Sequence, residues 1–320
     1  MVLPSTMQGA QYFHYGPPSV LQVNEVNLPA PGKTEILVKV IASSVNRADA
    51  IARGGGTRLT NGLRFPKGTG VDLLGEVVAL GTNARSHRIG DLVWGYVGMV
   101  TMGRTGTAAQ YATIDERSVS FAPQVEDLEA AAALPLVAMT ALQAVRNRLM
   151  TAAGDRILII GASGGVGSAA VQISRFFGAS VSAVSGASHL SFSTELGASE
   201  SFSHSDLPSP SEVEPFDKIF DCAGVRTRYY RQYLKPGGKM VTISPGGAPA
   251  VLTSQFSSKR VSFMPVKVVK DDLAWISRAT EEGAIRPIID RRYRLDEIAR
   301  AHEHVATAHT RGKNIVISTP

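Results

Sequence analysis

The run Arg156-Ile157-Leu158-Ile159-Ile160, followed by Gly161-Ala162-Ser163-Gly164-Gly165-Val166-Gly167-Ser168, limits the folds open to this chain more than any other stretch. A short β-branched segment opens into closely spaced glycines, and Ala169 to Phe177 continues with helical periodicity. Glycine lets the backbone turn tightly and approach a ligand without a Cβ in the way. The helix that follows aims its free N–H groups and the positive end of its dipole at the same spot, which suits a pyrophosphate. A glycine cluster by itself is equally an ordinary strand-to-helix turn. Here a strand precedes it, a helix follows, and a second strand at Ser180–Val184 comes one βαβ unit later, so the pattern points to a dinucleotide.

The end of that second strand bears on which dinucleotide. A site for NAD places Asp or Glu there to hold the ribose 2′-hydroxyl. This chain has Ser185-Gly186-Ala187-Ser188-His189 and no carboxylate until Glu195. Short hydroxyls and an imidazole leave room for a 2′-phosphate and can donate to it. The segment therefore favours NADPH over NADH, although it holds no Lys or Arg to neutralise the phosphate. Ser188 also reads as an N-cap.

Periodicity divides the 320 residues into β-rich and alternating parts. Strands are expected at Glu35–Ala42, Gly70–Leu80 and Asp91–Tyr96, and the glycines within Arg53–Lys67 predict a mobile loop suited to a substrate lid or simply to surface slack. Leu128–Leu149 reads as a helix. From Arg156 to about Val266 strands at Ile157–Ile160, Ser180–Val184, Lys218–Asp221 and Met240–Ile243 alternate with helices, and a turn is expected at Lys235–Lys239. That alternation predicts an α/β fold with a doubly wound parallel sheet. Helices at Asp271–Gly283 and Leu295–Ala308 and a strand at Asn314–Ser318 follow. This tail has no partner strands of its own and is expected to return to the N-terminal β part.

A net charge of +6 comes from scattered basic residues, with no basic stripe interleaved with aromatics, which argues against nucleic acid. Cys222 is the only cysteine, so an intramolecular disulfide and thiolate zinc sites of two or four cysteines are excluded. The thiol lies in Lys218–Ala223, a buried strand end, and reads as structural. Met1–Ala10 lacks the pattern of a signal peptide, and the apolar stretch Ala130–Leu142 is short for a membrane span, so a cytoplasmic protein is expected.

Several blocks then occur in the order of a known family: Ala42-Ser43-Ser44-Val45-Asn46-Arg47-Ala48-Asp49, Gly70-Val71-Asp72-Leu73-Leu74-Gly75-Glu76-Val77, Gly90-Asp91-Leu92-Val93, Ala132–Leu136 with Thr140-Ala141, Gly161–Gly167, and Lys235–Lys239. Over nearly its whole length the chain resembles the zinc-independent medium-chain dehydrogenase/reductases, in the quinone oxidoreductase and enoyl reductase branch. The resemblance implies a GroES-like β domain at 1–126 completed by 268–320, a Rossmann domain at 127–267, and a cleft along their junction. Zinc-using relatives place a Cys, a Gly-His-Glu segment and a further thiolate or carboxylate around that cleft. Here Val71-Asp72 stands where His-Glu would be, and Asp49 alone is not a three-ligand site, so no metal is expected. Without a Lewis acid, alcohol oxidation loses its means of acidifying the hydroxyl, whereas a polarised quinone or enone does not need that help.

By resemblance, hydride passes from the nicotinamide of NADPH to a quinone or to a conjugated enone or enoyl substrate. Asn46 matches a position that holds the nicotinamide–ribose region or the substrate carbonyl, and it also reads as a strand-end turn former. Asp49 is expected to order that loop. Family tyrosines after the Asn-x-x-Asp segment fall on Ile51 and Thr57, which leaves solvent, the Thr57 hydroxyl or the ribose chain to supply the proton. Thr140 is expected beside the nicotinamide, or back-bonded to its own helix. Gly164, Gly165 and Val166 are expected to cradle the pyrophosphate. Ser185 matches a 2′-phosphate contact, Ser188 falls where relatives carry Lys, and His204 falls where a Tyr lies against the adenosine. Ile243 would flank the nicotinamide, and Lys313, beside Gly312, is a further phosphate candidate. Arg53, Arg64 and Lys67 offer an anion site or solvated charge, and specificity is expected in Arg53–Lys67 and Tyr96–Gly106. Relatives pair the strand near Val261–Val266 across a two-fold axis, which implies a homodimer. The alternative function is a regulatory or interaction protein of the same fold that binds NADPH with little turnover. A zinc alcohol dehydrogenase is a third.

Overall fold

The computed structural model describes residues 2–98, 106–307 and 310–318, and it divides into two compact units. One comprises Met1–Leu136, Lys267–Glu282 and Pro287–Pro320; the other comprises Val137–Val266 with Gly283–Arg286.

The first unit is mostly sheet. Its strands in chain order are β1 (Thr6–Tyr12), β2 (Gln22–Asn27), β3 (Glu35–Val45), β4 (Lys67–Gly68), β5 (Asp72–Leu80), β6 (Leu92–Tyr96), β7 (Tyr111–Asp115) and β8 (Val119–Phe121). Short helices α1 (Arg47–Arg53), α2 (Arg58–Asn61) and α3 (Leu128–Ala131) interrupt them. β3 pairs antiparallel with β5 and β7, and β5 with β6. Alternate apolar residues of these strands, among them Ile36, Val38, Leu73, Val77, Val93 and Ile114, share one buried core.

The second unit is the alternating one. Helix α4 (Pro135–Leu142) runs across the division at 136/137, then come β9 (Arg156–Ile160), α5 (Gly165–Phe176), β10 (Ser180–Ser185), α6 (Leu190–Glu195), β11 (Glu200–Ser203), β12 (Phe216–Asp221), α7 (Thr227–Tyr230), β13 (Leu234–Thr242), α8 (Ala248–Thr253) and β14 (Arg260–Phe263). Its sheet is parallel, in the order β11-β10-β9-β12-β13-β14. The doubly wound α/β expectation therefore holds. Burial of both faces explains why β9 reads as an unbroken apolar run rather than an alternating one.

The chain closes with α9 (Lys270–Glu281), β15 (Ile289–Arg294), α10 (Ile298–Ala306) and β16 (Lys313–Ile317), all in the first unit. β16 pairs antiparallel with β3, so the tail does return to the N-terminal sheet.

Three local expectations are corrected. The helix over Leu128–Leu149 is broken: α3 ends at Ala131, α4 begins at Pro135, and a π-helical turn, Gln143–Arg148, follows. Proline lacks the N–H an uninterrupted helix needs there and favours a first helical position instead. The turn at Lys235–Lys239 lies inside β13. The register against β12 jumps from Phe216↔Leu234 to Lys218↔Lys239, with Gly237 at φ +78°, so the extra residues loop out while the strand continues. The segment Arg53–Lys67 is tied down rather than slack. Arg53 Nη1 donates to Gly16 O at 2.6 Å, Tyr15 Oη to Gly62 O at 2.5 Å, and Lys67 Nζ to Asn61 O at 2.7 Å. Of the expected specificity segment Tyr96–Gly106, residues 99–105 lie outside the described residues.

Candidate functional site

In the parallel-sheet unit, β9 runs into a bend whose glycines are needed for different reasons. Gly161 has φ +80°, a conformation that side chains resist. A Cβ on Gly167 would sit 2.1 Å from Gly161 O, so that glycine lets α5 pack onto the strand end. Gly164 has an ordinary φ of −77°, and a Cβ there would meet Gly161 O at 3.6 Å, a normal contact. The protein's own packing does not demand glycine at 164; close approach of another molecule would.

The first helical hydrogen bond runs from Ser168 N to Gly164 O at 2.8 Å. The N–H groups of Gly165, Val166 and Gly167 thus start the helix with no intrahelical acceptor. The expected cradle shifts by one residue, because Gly164 N turns back onto Gly161 O at 3.2 Å. Helix-starting amides without an intrahelical acceptor, beside a glycine whose Cβ direction is open, fit a pyrophosphate.

At the end of β10 the expected 2′-phosphate contacts separate. Ser185 is buried and its hydroxyl accepts from Ser193 Oγ at 3.4 Å, turned into the fold, which argues against it as a phosphate donor. Ser188 and His204 are exposed. His189 is half-buried and joins them: His189 N donates to Gly186 O and His204 N to Ser185 O, both at 2.9 Å. Thr140 is buried on α4, and Ile243 is partly exposed just beyond β13, with its N–H on Asp221 O at 3.3 Å. Asp221 accepts from Ala223 N, Gly224 N and Thr227 Oγ1, which fixes the end of β12. Burial and neighbouring Asp221 push the Cys222 thiol up, consistent with an inert structural residue.

In the other unit, the end of β3 gathers a buried polar cluster around Asp72, at the start of β5. Asp72 accepts from Ser44 Oγ (2.6 Å), Asn46 Nδ2 (2.8 Å) and Leu136 N (2.8 Å). Lys313 Nζ donates to Asn46 Oδ1 at 2.5 Å and Val45 O at 2.8 Å, and lies 4.0 Å from Asp72 Oδ2. Asn46 N donates to Asp49 Oδ2 at 2.8 Å across the first turn of α1, so Asp49 orders this turn, as expected. Its other carboxylate oxygen is buried without a hydrogen-bond partner, as is the Tyr96 hydroxyl. Burial raises Asp49 to about 7, opposed by the Asn46 N–H and by Lys313. Burial also raises Asp72, with Lys313, Ser44 and Asn46 opposing, and lowers Lys313, with Asp72 and Asp49 opposing.

This cluster corrects two roles. Lys313 is a buried partner of Asn46 and not a free cation waiting for phosphate. Asn46 is itself buried, and both ends of its amide are engaged by Asp72 and Lys313. Thr57 stands apart as the residue before α2, half-buried, where its Oγ1 accepts from Asn61 Nδ2 at 3.0 Å. Arg53 and Lys67 are buried and bonded to backbone carbonyls, so only Arg64 of that trio is exposed. Sequence reasoning missed Asp72 as the centre of a network. The available signal was a carboxylate leading the buried run Leu73-Leu74-Gly75 at the start of a mostly apolar strand. Among the described residues, no three His, Cys, Asp or Glu side chains converge as a metal-holding group, and no helix is long and apolar enough to cross a membrane.

Comparison with known proteins agrees with both units. Residues 32–124 match the alcohol dehydrogenase GroES-like domain, and residues 196–316 match the zinc-binding dehydrogenase family. A chloroplast envelope quinone oxidoreductase homolog of Arabidopsis thaliana is 30% identical over 97% of this chain and 98% of its own length. A chloroplastic NADPH-dependent alkenal/one oxidoreductase of the same plant is 27% identical over 99% of this chain and 81% of its own. Among solved structures, the quinone oxidoreductase from Coxiella burnetii aligns with a TM-score of 0.89 at 27% identity, covering 98% of this chain and 100% of that one.

Proposed function

The chain belongs to the medium-chain dehydrogenase/reductase family, on its quinone oxidoreductase side, and from that membership we propose that it reduces a quinone or conjugated enone with NADPH and without a metal ion. The observation that carries the reading is the bend at Gly161–Gly167, with unpaired amides at Gly165, Val166 and Gly167 and no internal need for glycine at 164. Those amides hold the pyrophosphate. When bound, the reduced nicotinamide supplies the hydride. A relative named for NADPH-dependent reduction of alkenals and alkenones supports the choice of coenzyme and of acceptor class.

The metal-free part rests on the Asp72 cluster. Three donors already occupy that carboxylate, and the Lys313 ammonium beside it repels a second cation. Reduction of an already polarised carbonyl tolerates this, because the charge to be stabilised is an oxyanion that N–H and O–H donors can meet. Thr57 is the proposed proton relay: it passes its hydroxyl proton to the reduced substrate and regains one from solvent, while its oxygen accepts from Asn61 Nδ2.

Steady-state NADPH oxidation against a panel of quinones and enones tests the proposal. Turnover with at least one acceptor, unchanged by a chelator, is the expected result. Turnover abolished by the chelator and restored by zinc would overturn the metal-free reading, and tight NADPH binding with no turnover on any acceptor would favour a binding protein of this fold.

The same reading extends to assembly. β14 is an edge strand of the parallel sheet, and its Phe263 is 44% exposed. An edge strand that exposes Phe263 beside Arg260 and Ser262 is open to pairing with a second copy. Sedimentation equilibrium is expected to return a dimer mass, and a monomer mass at every concentration would remove this part of the proposal.

A further inference from the structure

From Phe176 to Asp217 the sequence holds no Lys or Arg, although it contains the strand end where a phosphate on the adenosine ribose would be recognised. Arg175, just before this stretch, is directed elsewhere: its Nη1 lies 2.8 Å from where a Cβ on Gly197 would be. The only side chains of the stretch able to carry positive charge are His189 and His204.

The fold brings both to one point. His189 N is bonded to Gly186 O and His204 N to Ser185 O, so each histidine is anchored to the last residues of β10 or the next one. A Cβ built on Gly186 would lie 3.6 Å from His189 Cδ2 and 3.9 Å from His204 Nε2. The two imidazoles therefore flank the same glycine, with the exposed Ser188 hydroxyl between them in sequence. Neither ring has a hydrogen-bond or ion-pair partner among the described residues. The acidic residues within six positions of them in the sequence are Glu195, Glu200 and Asp206.

We propose that His189 and His204 are the residues that select the 2′-phosphorylated coenzyme, and that they do so as cations, so the preference for NADPH over NADH depends on pH. This deepens the nucleotide reading of the glycine bend and rests on it. A protonated imidazole donates from both nitrogens and meets a phosphate with a charge-assisted bond, whereas a neutral one offers a single N–H and no charge. Imidazole changes charge between about pH 5 and 8. A phosphate monoester, with a second pKa of about 6, becomes more anionic over the same range. Against fixed donors alone, rising pH would strengthen NADPH binding. A loss of affinity as pH rises is therefore a signature of the histidines.

Coenzyme binding is measured by direct fluorescence titration of the full chain with NADPH and NADH at pH 6.5 and 8.5. Affinity for NADPH is expected to fall about tenfold across this interval while NADH changes little. His204→Lys is expected to keep NADPH preference at pH 8.5, and the His189→Gln/His204→Gln double variant to bind both coenzymes alike at either pH. His204 is exposed, so the lysine variant does not disturb packing. An NADPH to NADH ratio independent of pH, or a preference surviving in the double variant, overturns the proposal and leaves the glycine-bend reading intact. Failure of both coenzymes to bind at any pH overturns both.

Discussion

Gly167→Ala is expected to destabilise the parallel-sheet unit by about 3 kcal/mol and to lower its melting temperature by roughly 10 °C. The added methyl would sit 2.1 Å from Gly161 O and 2.7 Å from both Gly161 C and Ala162 Cα. All three are backbone atoms at the mouth of β9, so no side chain can rotate away to relieve the clash. Either α5 lifts from the strand or the bend opens, and each outcome disperses the amides of Gly165, Val166 and Gly167. Coenzyme binding is therefore lost along with stability.

Gly164→Ala separates ligand from fold. Its methyl would meet only Gly161 O, at 3.6 Å, on a backbone that any residue adopts. Its melting temperature is expected to match that of the unsubstituted protein, while NADPH affinity drops at least tenfold because the methyl stands where the pyrophosphate must approach. Thermal melts and coenzyme titration of the two variants side by side decide the matter. A Gly164→Ala protein that binds NADPH normally would show that this bend is not the coenzyme site.

The bend was legible in the sequence because its physics is local. A β-branched run, glycines and a helical period lie within about twenty residues, and no distant segment can alter that reading. The strands β10 and β12 were legible for the same reason. What escaped was set by contacts between distant residues. Lys313 next to Gly312 looks like a phosphate-seeking terminus until the antiparallel pairing Asn314↔Val45 carries it to Asn46, 267 residues away along the chain. The segment Arg53–Lys67 looks slack from its glycines, yet Gly16 and Tyr15, far upstream, hold it. The Ser185 hydroxyl looks available from its place at a strand end. Only the packing of α6, through Ser193, shows it facing inward.

Lys313→Met is expected to cost about 3–5 kcal/mol, more at pH 8 than at pH 5. The methionine keeps most of the side-chain volume and removes the charge, leaving Asp72, fully buried, without its neutralising neighbour. The sign of the pH dependence follows from the carboxyls. Burial holds Asp49 at about 7 in the folded protein, above the ordinary carboxyl value it regains on unfolding. Between those values the folded chain binds a proton that the unfolded chain has released, so stability falls as pH rises through that window. Asp72 is raised by burial as well, and Lys313 opposes the rise at both groups. Without the ammonium both carboxyls rise further, and the pH-dependent loss deepens and extends to higher pH.

Adding Asp72→Asn to Lys313→Met removes the uncompensated charge while leaving an amide oxygen at the Oδ2 position to accept from Ser44 Oγ and Asn46 Nδ2, at the cost of the acceptor for Leu136 N. The double variant is expected to recover most of the loss and to flatten its pH dependence. Denaturant unfolding of the single and double variants at pH 5 and 8 forms the cycle that measures this coupling. Equal losses at both pH values, or an Asp72→Asn change that adds its own cost to that of Lys313→Met, would mean that the ammonium merely fills space. If the coupling is found, Lys313 from the C-terminal strand supplies the charge that compensates buried Asp72. Its job is to hold Asp72 and the Asn46 amide in place.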